Sequence, residues 1–284
     1  MDRLQAIGAP FETRYSSCSN KKPQLFEWTD EEQSIKVYHD GAIIHGMQQK
    51  KKPGELKIGW VCESRTIFHS MAPGTRGVPR DLWDAHLDKV CESYDAIFTS
   101  ERSYVGKNPK MHFCYAGSNL PWIKDQQIFS KTKLVSLIAS PKNFAFGHAL
   151  RHTMAEKYKD KVDLYGGVLG SKRIGGNVPW GDKSEGLNDY MFSFVIENDK
   201  YETYFTEKLT DAFVTGTIPV YWGTPDIGDI FNLDGMIELT PDFDISILTP
   251  ELYESKKEAI QDNFERVQKM LSADDILYKL IQGL

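Results

Sequence analysis

The sequence predicts an α/β protein made of two parallel-sheet halves facing a central cleft, and three observations carry that prediction. Short apolar runs bounded by glycine and charge alternate with stretches of helical periodicity, the pattern of parallel strands covered on both faces. The alternation occurs twice, with a break over Leu120–Lys133. The 284 residues, 40% hydrophobic and 26% charged, suffice to bury two cores of roughly 130 to 150 residues each. The expected division is residues 1–130 and 131–284, the second half carrying a helical tail.

The first fifty residues are the least legible. They offer a turn-rich start, one strand at SIKVYHD (34–40) and a solvated basic loop at QKKKPGE (49–55). LKIGWVC (56–62) and YDAIFTS (94–100) then read as strands, with the helical pattern PRDLWDAHLDKVCES (79–93) between them. In the second half KLVSLIAS (133–140) is a buried strand, GHALRHTMAEKYKD (147–160) an amphipathic helix, VDLYGG (162–167) a strand and DYMFSFVIEN (189–198) a long central strand. A helix over 207–215, the strand IPVYWG (218–223) and the short strand GMIEL (235–239) follow. From Pro250 onward, Ile260, Phe264, Val267, Leu271, Ile276, Leu277 and Leu280 recur at near-helical spacing, which predicts packing helices.

The helix at 207–215 poses a chemical question. Thr206 is its expected N-cap, Gly216 its C-cap, and Leu209, Ala212 and Phe213 its buried stripe. A cation in the first turn opposes the helix dipole, yet Lys208 stands there beside Glu207. The preceding strand ends in Glu197-Asn198, at the carboxyl edge where open α/β sheets bind ligands. A phosphate in that crevice removes the conflict, since ammonium and helix terminus then act on one anion, while Glu207 accepts from paired sugar hydroxyls. The alternative is a Lys208 that snorkels into solvent and a Glu207 that merely complements the dipole.

The formal net charge of −6 argues against an extended nucleic-acid footprint, so an anionic ligand has to be met locally. No apolar run approaches the ~20 residues that cross a bilayer, and the N-terminus lacks a signal-peptide core. These features predict a cytoplasmic chain without a transmembrane segment, of a bacterial or viral type. Cys18, Cys62, Cys91 and Cys114 are scattered without zinc-site spacing and read as free or buried thiols.

FSFVIENDKYETYFTEKLTDAFVTGTIPVYWGTP (192–225) resembles the signature of the α-1,3-fucosyltransferases, glycosyltransferase family 10. The matching pieces are Glu197-Asn198, Tyr204-Phe205-Thr206-Glu207-Lys208, Gly216-Thr217-Ile218-Pro219-Val220 and Gly223-Thr224-Pro225, with KSEGLNDY (183–190) as lead-in. The resemblance implies the GT-B type of fold, two Rossmann-like domains facing a central cleft. It also implies inverting transfer of L-fucose from GDP-fucose to a hydroxyl of a glycan acceptor. GDP-fucose is then the donor substrate, and neither a cofactor nor a metal is required by the fold. Glu197, Asn198, Tyr204, Glu207 and Lys208 fall to the donor. IGWVCESRTIF (58–68) looks like the family segment that carries the catalytic base, which places that role on Glu63; a surface Glu63 paired with Arg65 is the alternative.

One departure stands out. The family's diphosphate-binding Arg, at the start of the first helix of the second domain, aligns with Gly147. Lys142, His148 and Arg151 are the neighbours placed to compensate, Arg173 in the glycine-rich loop is a further candidate for the phosphate field, and Gly147 offers close approach of a phosphate to the backbone. His148 reads as a packed or capping histidine, and Arg151 equally as an exposed helix charge. The substitution leaves open a different nucleotide-sugar donor, or a catalytically silent binding protein. Asp242-Phe243-Asp244 follows a proline and reads as a turn rather than a metal site. The glycine-rich stretch 166–177 reads as a surface loop or a donor-closing one, and Trp180, Tyr190, Tyr204 and Trp222 as aromatic faces or core.

Overall fold

The computed structural model describes residues 1–8, 22–70, 78–116, 122–174 and 183–284. The chain divides into two compact units, the first comprising Met1–Ala116, Glu202–Tyr204 and Leu271–Leu284, the second Gly117–Tyr201 and Phe205–Met270.

The first unit is built on a six-stranded parallel sheet: β1 (Asp2–Ile7), β2 (Phe26–Thr29), β3 (Ile35–His39), β4 (Leu56–Val61), β5 (Ala96–Thr99) and β6 (Met111–Phe113), in the order β2-β1-β3-β4-β5-β6. Its helices are α1 (Ala42–Gly46), α2 (Arg65–Phe68), α3 (Arg80–Ala85) and α4 (Leu87–Glu92). The single helix expected over 79–93 is two helices, because His86 leaves the helical region (φ −122°, ψ 15°) between a segment burying Trp83 and one burying Leu87, Val90 and Cys91. β4 and β5 are the expected buried strands. Lys57 inside β4 is tolerated because its ammonium donates to the carbonyl oxygens of Gly46 and Gln49 and lies over the Tyr94 ring.

The second unit carries a five-stranded parallel sheet: β7 (Lys133–Ile138), β8 (Asp163–Tyr165), β9 (Tyr190–Ile196), β10 (Ile218–Trp222) and β11 (Ile237–Glu238), ordered β11-β10-β9-β7-β8. Its helices are α5 (Phe146–Tyr158), α6 (Glu207–Phe213), α7 (Pro250–Ser255) and α8 (Lys257–Lys269). β9 is central, and its near-continuous apolar run is buried because helices cover both faces. Phe192, Phe194 and Ile196 pack with Val135, Leu137, Val220 and Phe243, and Tyr158 of α5 stacks on Phe194 at 5.8 Å. The chain leaves β7 toward β8 on one side, then returns to β9 on the other. The carboxyl ends of β7 and β9 therefore flank the topological switch point, where doubly wound sheets take their ligands.

Both sheets with their flanking helices have the make-up of Rossmann-like units. The unit boundaries differ from the expected division, falling at residue 116 and again at 271. The reason is α9 (Ala273–Gln282), the last of the expected packing helices, whose first turn is anchored in the first unit. Asp275 accepts from the backbone N–H of Gln24 and Leu25 at 2.9 Å, Asp274 accepts from Trp28 Nε1 at 2.7 Å, and Tyr278 stacks on Phe26 at 5.2 Å. Buried carboxylates at a helix N-terminus are stable when backbone and indole N–H groups satisfy them. Among the described residues no helix is long and apolar enough to cross a membrane. Cys62, Cys91 and Cys114 are free thiols, and Cys18 lies outside the described residues.

Candidate functional site

The site grows from the end of β9. Glu197, the next residue, is fully buried, and a buried carboxylate needs donors. Thr206 supplies two, its N–H at 2.8 Å and its hydroxyl at 2.7 Å. The same Thr206 is the N-cap of α6, in extended conformation (φ −136°, ψ −173°) with its hydroxyl accepting from Lys208 N. Gly223, in the turn after β10, makes room for this carboxylate, since a Cβ there would lie 2.9 Å from Glu197 Cγ and 2.1 Å from the Tyr221 hydroxyl.

Lys208 turns back over this cap. Its ammonium donates to Thr206 Oγ1 at 3.0 Å and lies 3.5 Å from Glu207 Oε1 and 3.6 Å from Glu197 Oε2, with a quarter of the side chain exposed. Glu207 is shared with a second cation, Lys183, 3.2 Å from the same Oε1. Lys183 also donates to Asp211 at 2.6 Å and lies 4.7 Å from the centre of the Trp122 ring, while Trp122 N–H donates to the other Asp211 oxygen at 2.6 Å. Three carboxylates and two ammonium groups thus share one cluster, with Glu207, Lys208 and Asp211 on α6, Glu197 at the end of β9 and Lys183 ahead of that strand. Burial alone would raise the Glu207 carboxyl, but Lys208 and Lys183 hold it well below the usual range, so it is ionised. Burial likewise works against the Lys183 charge, and Asp211 and Glu207 together hold it protonated.

The expected replacements for the family Arg are placed otherwise. Arg151 is buried, neither an exposed charge nor a group reaching to the helix terminus. Its Nε and Nη2 donate to Ile196 O at 2.9 and 2.6 Å and Nη2 to Asn198 Oδ1 at 2.8 Å, so it clamps the end of β9. Gly147 does not open its backbone to a ligand. Its N–H donates to Asn198 O at 3.0 Å, and a Cβ would fall 1.6 Å from Glu197 O. No side chain fits at this position, and Gly147→Ala is expected to cost several kcal/mol by forcing helix and strand apart, read as a drop in the urea midpoint.

Lys142 and Arg173 are exposed. Tyr204, read as an aromatic face or as core, is 1% exposed and belongs to the first unit. Tyr190 is fully buried, its hydroxyl bonded to Asp163 and Tyr165. Trp180 and residues 175–177 lie outside the described residues. Asp244 caps the turn after it through Ser246 N (2.9 Å), as its sequence context predicts.

His148 packs as expected, edge-on against Phe144 at 4.7 Å, with Nδ1 lacking a hydrogen-bond partner among the described residues. Burial, aided by Arg151, Lys208 and Lys142, pushes its pKa down to about 3. The unfolded chain takes up this proton near pH 6.5 and the folded protein does not, so the stabilising contribution is complete above pH 6.5 and is lost as pH falls toward 3. Denaturation measured between pH 3 and 7 is expected to show the stability of wild type falling more steeply with acid than that of His148→Gln, which lacks this contribution.

Glu63 lies in the first unit, exposed, just past β4. Its N–H and that of Cys62 both donate to Oδ1 of buried Asp40, at 3.1 and 2.9 Å. Asp40 sits in the left-handed region (φ 47°) at the end of β3, so a strained residue grips the segment. Arg65 pairs with Glu101.

Sequence reasoning missed Lys183 and Asp211. The available signal was the spacing of Glu207 and Asp211, one helical turn apart on a single face, a like-charge pair that asks for a cation.

Residues 128–249, which contain the whole cluster except Trp122, match the family described as Glycosyltransferase family 10 (fucosyltransferase) C-term. The chain is 31% identical to the Alpha-(1,3)-fucosyltransferase FucT of Helicobacter pylori over 130 residues, 45% of this chain and 26% of that protein. It therefore matches about a quarter of that relative's length. In fold it is similar to a crystal structure of an alpha1,3-fucosyltransferase, with a TM-score of 0.51 at 15% identity over 99% of this chain and 89% of that one. It is also similar to the crystal structure of TarM, with a TM-score of 0.53 at 12% identity over 87% and 54%.

Proposed function

We propose that the protein is an inverting glycosyltransferase that moves L-fucose from GDP-fucose to a hydroxyl of a glycan acceptor. The observation that carries this reading is the Glu197-Thr206-Glu207-Lys208 cluster at the switch point of the second sheet, within the span that matches the fucosyltransferase family. In the proposed reaction the acceptor oxygen attacks the anomeric carbon of fucose as its proton passes to Glu63. The bond from that carbon to the diphosphate oxygen breaks, GDP leaves with the electron pair, and the configuration inverts. Lys208 meets the charge that grows on the leaving diphosphate, and Glu207 accepts from sugar hydroxyls.

Incubation with GDP-fucose and a panel of oligosaccharides tests it. Release of GDP together with a fucosylated product is expected, whereas no release and no binding of GDP would reject it.

A second reading keeps the chemistry and changes the donor. It is favoured by Gly147, where the close approach of Glu197 O excludes the side chain on which the family relies. A thermal-shift panel of nucleotide-sugars separates the two, because the ligand bound by the folded state raises its melting temperature.

A further inference from the structure

Lys183 is a costly residue to place where it is. It is 9% exposed, and removing an ammonium from water costs several kcal/mol before any partner is counted. Asp211, fully buried, takes this cation on one carboxylate oxygen and the backbone N–H of Trp122 on the other. A neutral pair of similar size at 183 and 211 would fold as well.

What the charge changes is the bonding of Glu207. Lys183 and Lys208 approach the same oxygen, Oε1, at 3.2 and 3.5 Å, and neither ion pair uses Oε2. A carboxylate with a single cationic neighbour draws it to about 2.7 to 2.9 Å. Here the attraction is divided, and Lys208 stays at 3.5 Å from Glu207 and 3.6 Å from Glu197. Its ammonium is surrounded by negative charge without being bound tightly to either carboxylate.

We infer that Lys183 is a positioning residue of the donor site: by sharing Glu207 it holds that carboxylate in place for the ribose hydroxyls of a nucleoside diphosphate and leaves the Lys208 ammonium available to the diphosphate. The inference rests on the donor reading above and deepens it. Lys183 itself touches no ligand in this arrangement. It acts through Glu207, and Asp211 and Trp122 fix where it sits.

The test compares the affinities of GDP and 2′,3′-dideoxy-GDP by calorimetry, because their ratio reports the ribose contact separately from the diphosphate. The wild type is expected to favour GDP about 10-fold or more, the discrimination a site shows when a missing hydroxyl leaves a polar group unpaired. K183M/D211N removes one charge of each sign, so the net field on the diphosphate is unchanged and no buried charge at 183 or 211 is left alone. It is expected to reduce the ratio to about 3-fold or less, and K183Q/D211N, which also removes one charge of each sign, gives the same reading with a smaller truncation. A merely structural Lys183 would weaken both nucleotides equally. A variant that keeps the wild-type ratio overturns the inference and leaves the donor reading standing. Wild type that binds neither nucleotide overturns the donor reading, and the inference falls with it.

Discussion

Replacing Lys208 with alanine is expected to weaken binding of GDP and of GDP-fucose about 100-fold, equivalent to about 2.7 kcal/mol. A charge-assisted hydrogen bond contributes about 1.5 to 3 kcal/mol, and the diphosphate loses at least one. The fold should survive the change, because each carboxylate that Lys208 touches keeps another partner. Glu197 retains both bonds from Thr206, and Glu207 retains Lys183. The cap of α6 also survives, since it depends on the Lys208 backbone N–H rather than on the ammonium. Calorimetric titration of the variant with GDP reads the effect, with circular dichroism confirming the fold. An affinity within 3-fold of wild type would remove Lys208 from the donor site. The ammonium would then be a counter-ion of the cluster only.

How this site could be foreseen, and where foresight stopped, follows from the range of the interactions. β4, β7, β9 and β10 are largely buried, so their mainly apolar runs announce them in any local window. Thr206 and Gly216 bracket α6 through contacts only a few residues long. β1 and β2 escaped notice for the opposite reason. DRLQAI buries one side chain completely, Leu4, and FEWT is a four-residue edge strand, so neither carries a strong period. The helical character of the tail was legible while its location was not, because Asp274 and Asp275 meet partners some 250 residues away. Lys183 belongs to the same class. Its carboxylates are 24 and 28 residues distant, and only the folded chain shows that the Glu207–Asp211 pair has an answer. Arg151 had the right reach and the wrong target, since proximity to the strand end gave its guanidinium two carbonyl acceptors inside the protein. Motif and cap chemistry were therefore readable, and buried charge placement was not.

The second large effect concerns Glu63. Glu63→Gln is expected to lower transfer by a factor of about 10² to 10⁴, the span of a lost general base, while leaving GDP-fucose affinity unchanged. Glutamine keeps the size of the side chain and cannot accept the acceptor proton. The surrounding segment is held by features the substitution leaves intact. The N–H groups of Cys62 and Glu63 stay bonded to Asp40, Ser64 caps α2 by accepting from Ile67 N, and Arg65 remains paired with Glu101. The backbone at residue 63 is held by these contacts, which the substitution does not touch. Parallel measurement of product formation and donor binding separates the roles. Loss of both would move Glu63 to the donor, and transfer within 10-fold of wild type would take the base away from it. A rate that falls at saturating acceptor, with donor affinity preserved, is the result expected when Glu63 accepts the proton as the sugar is transferred.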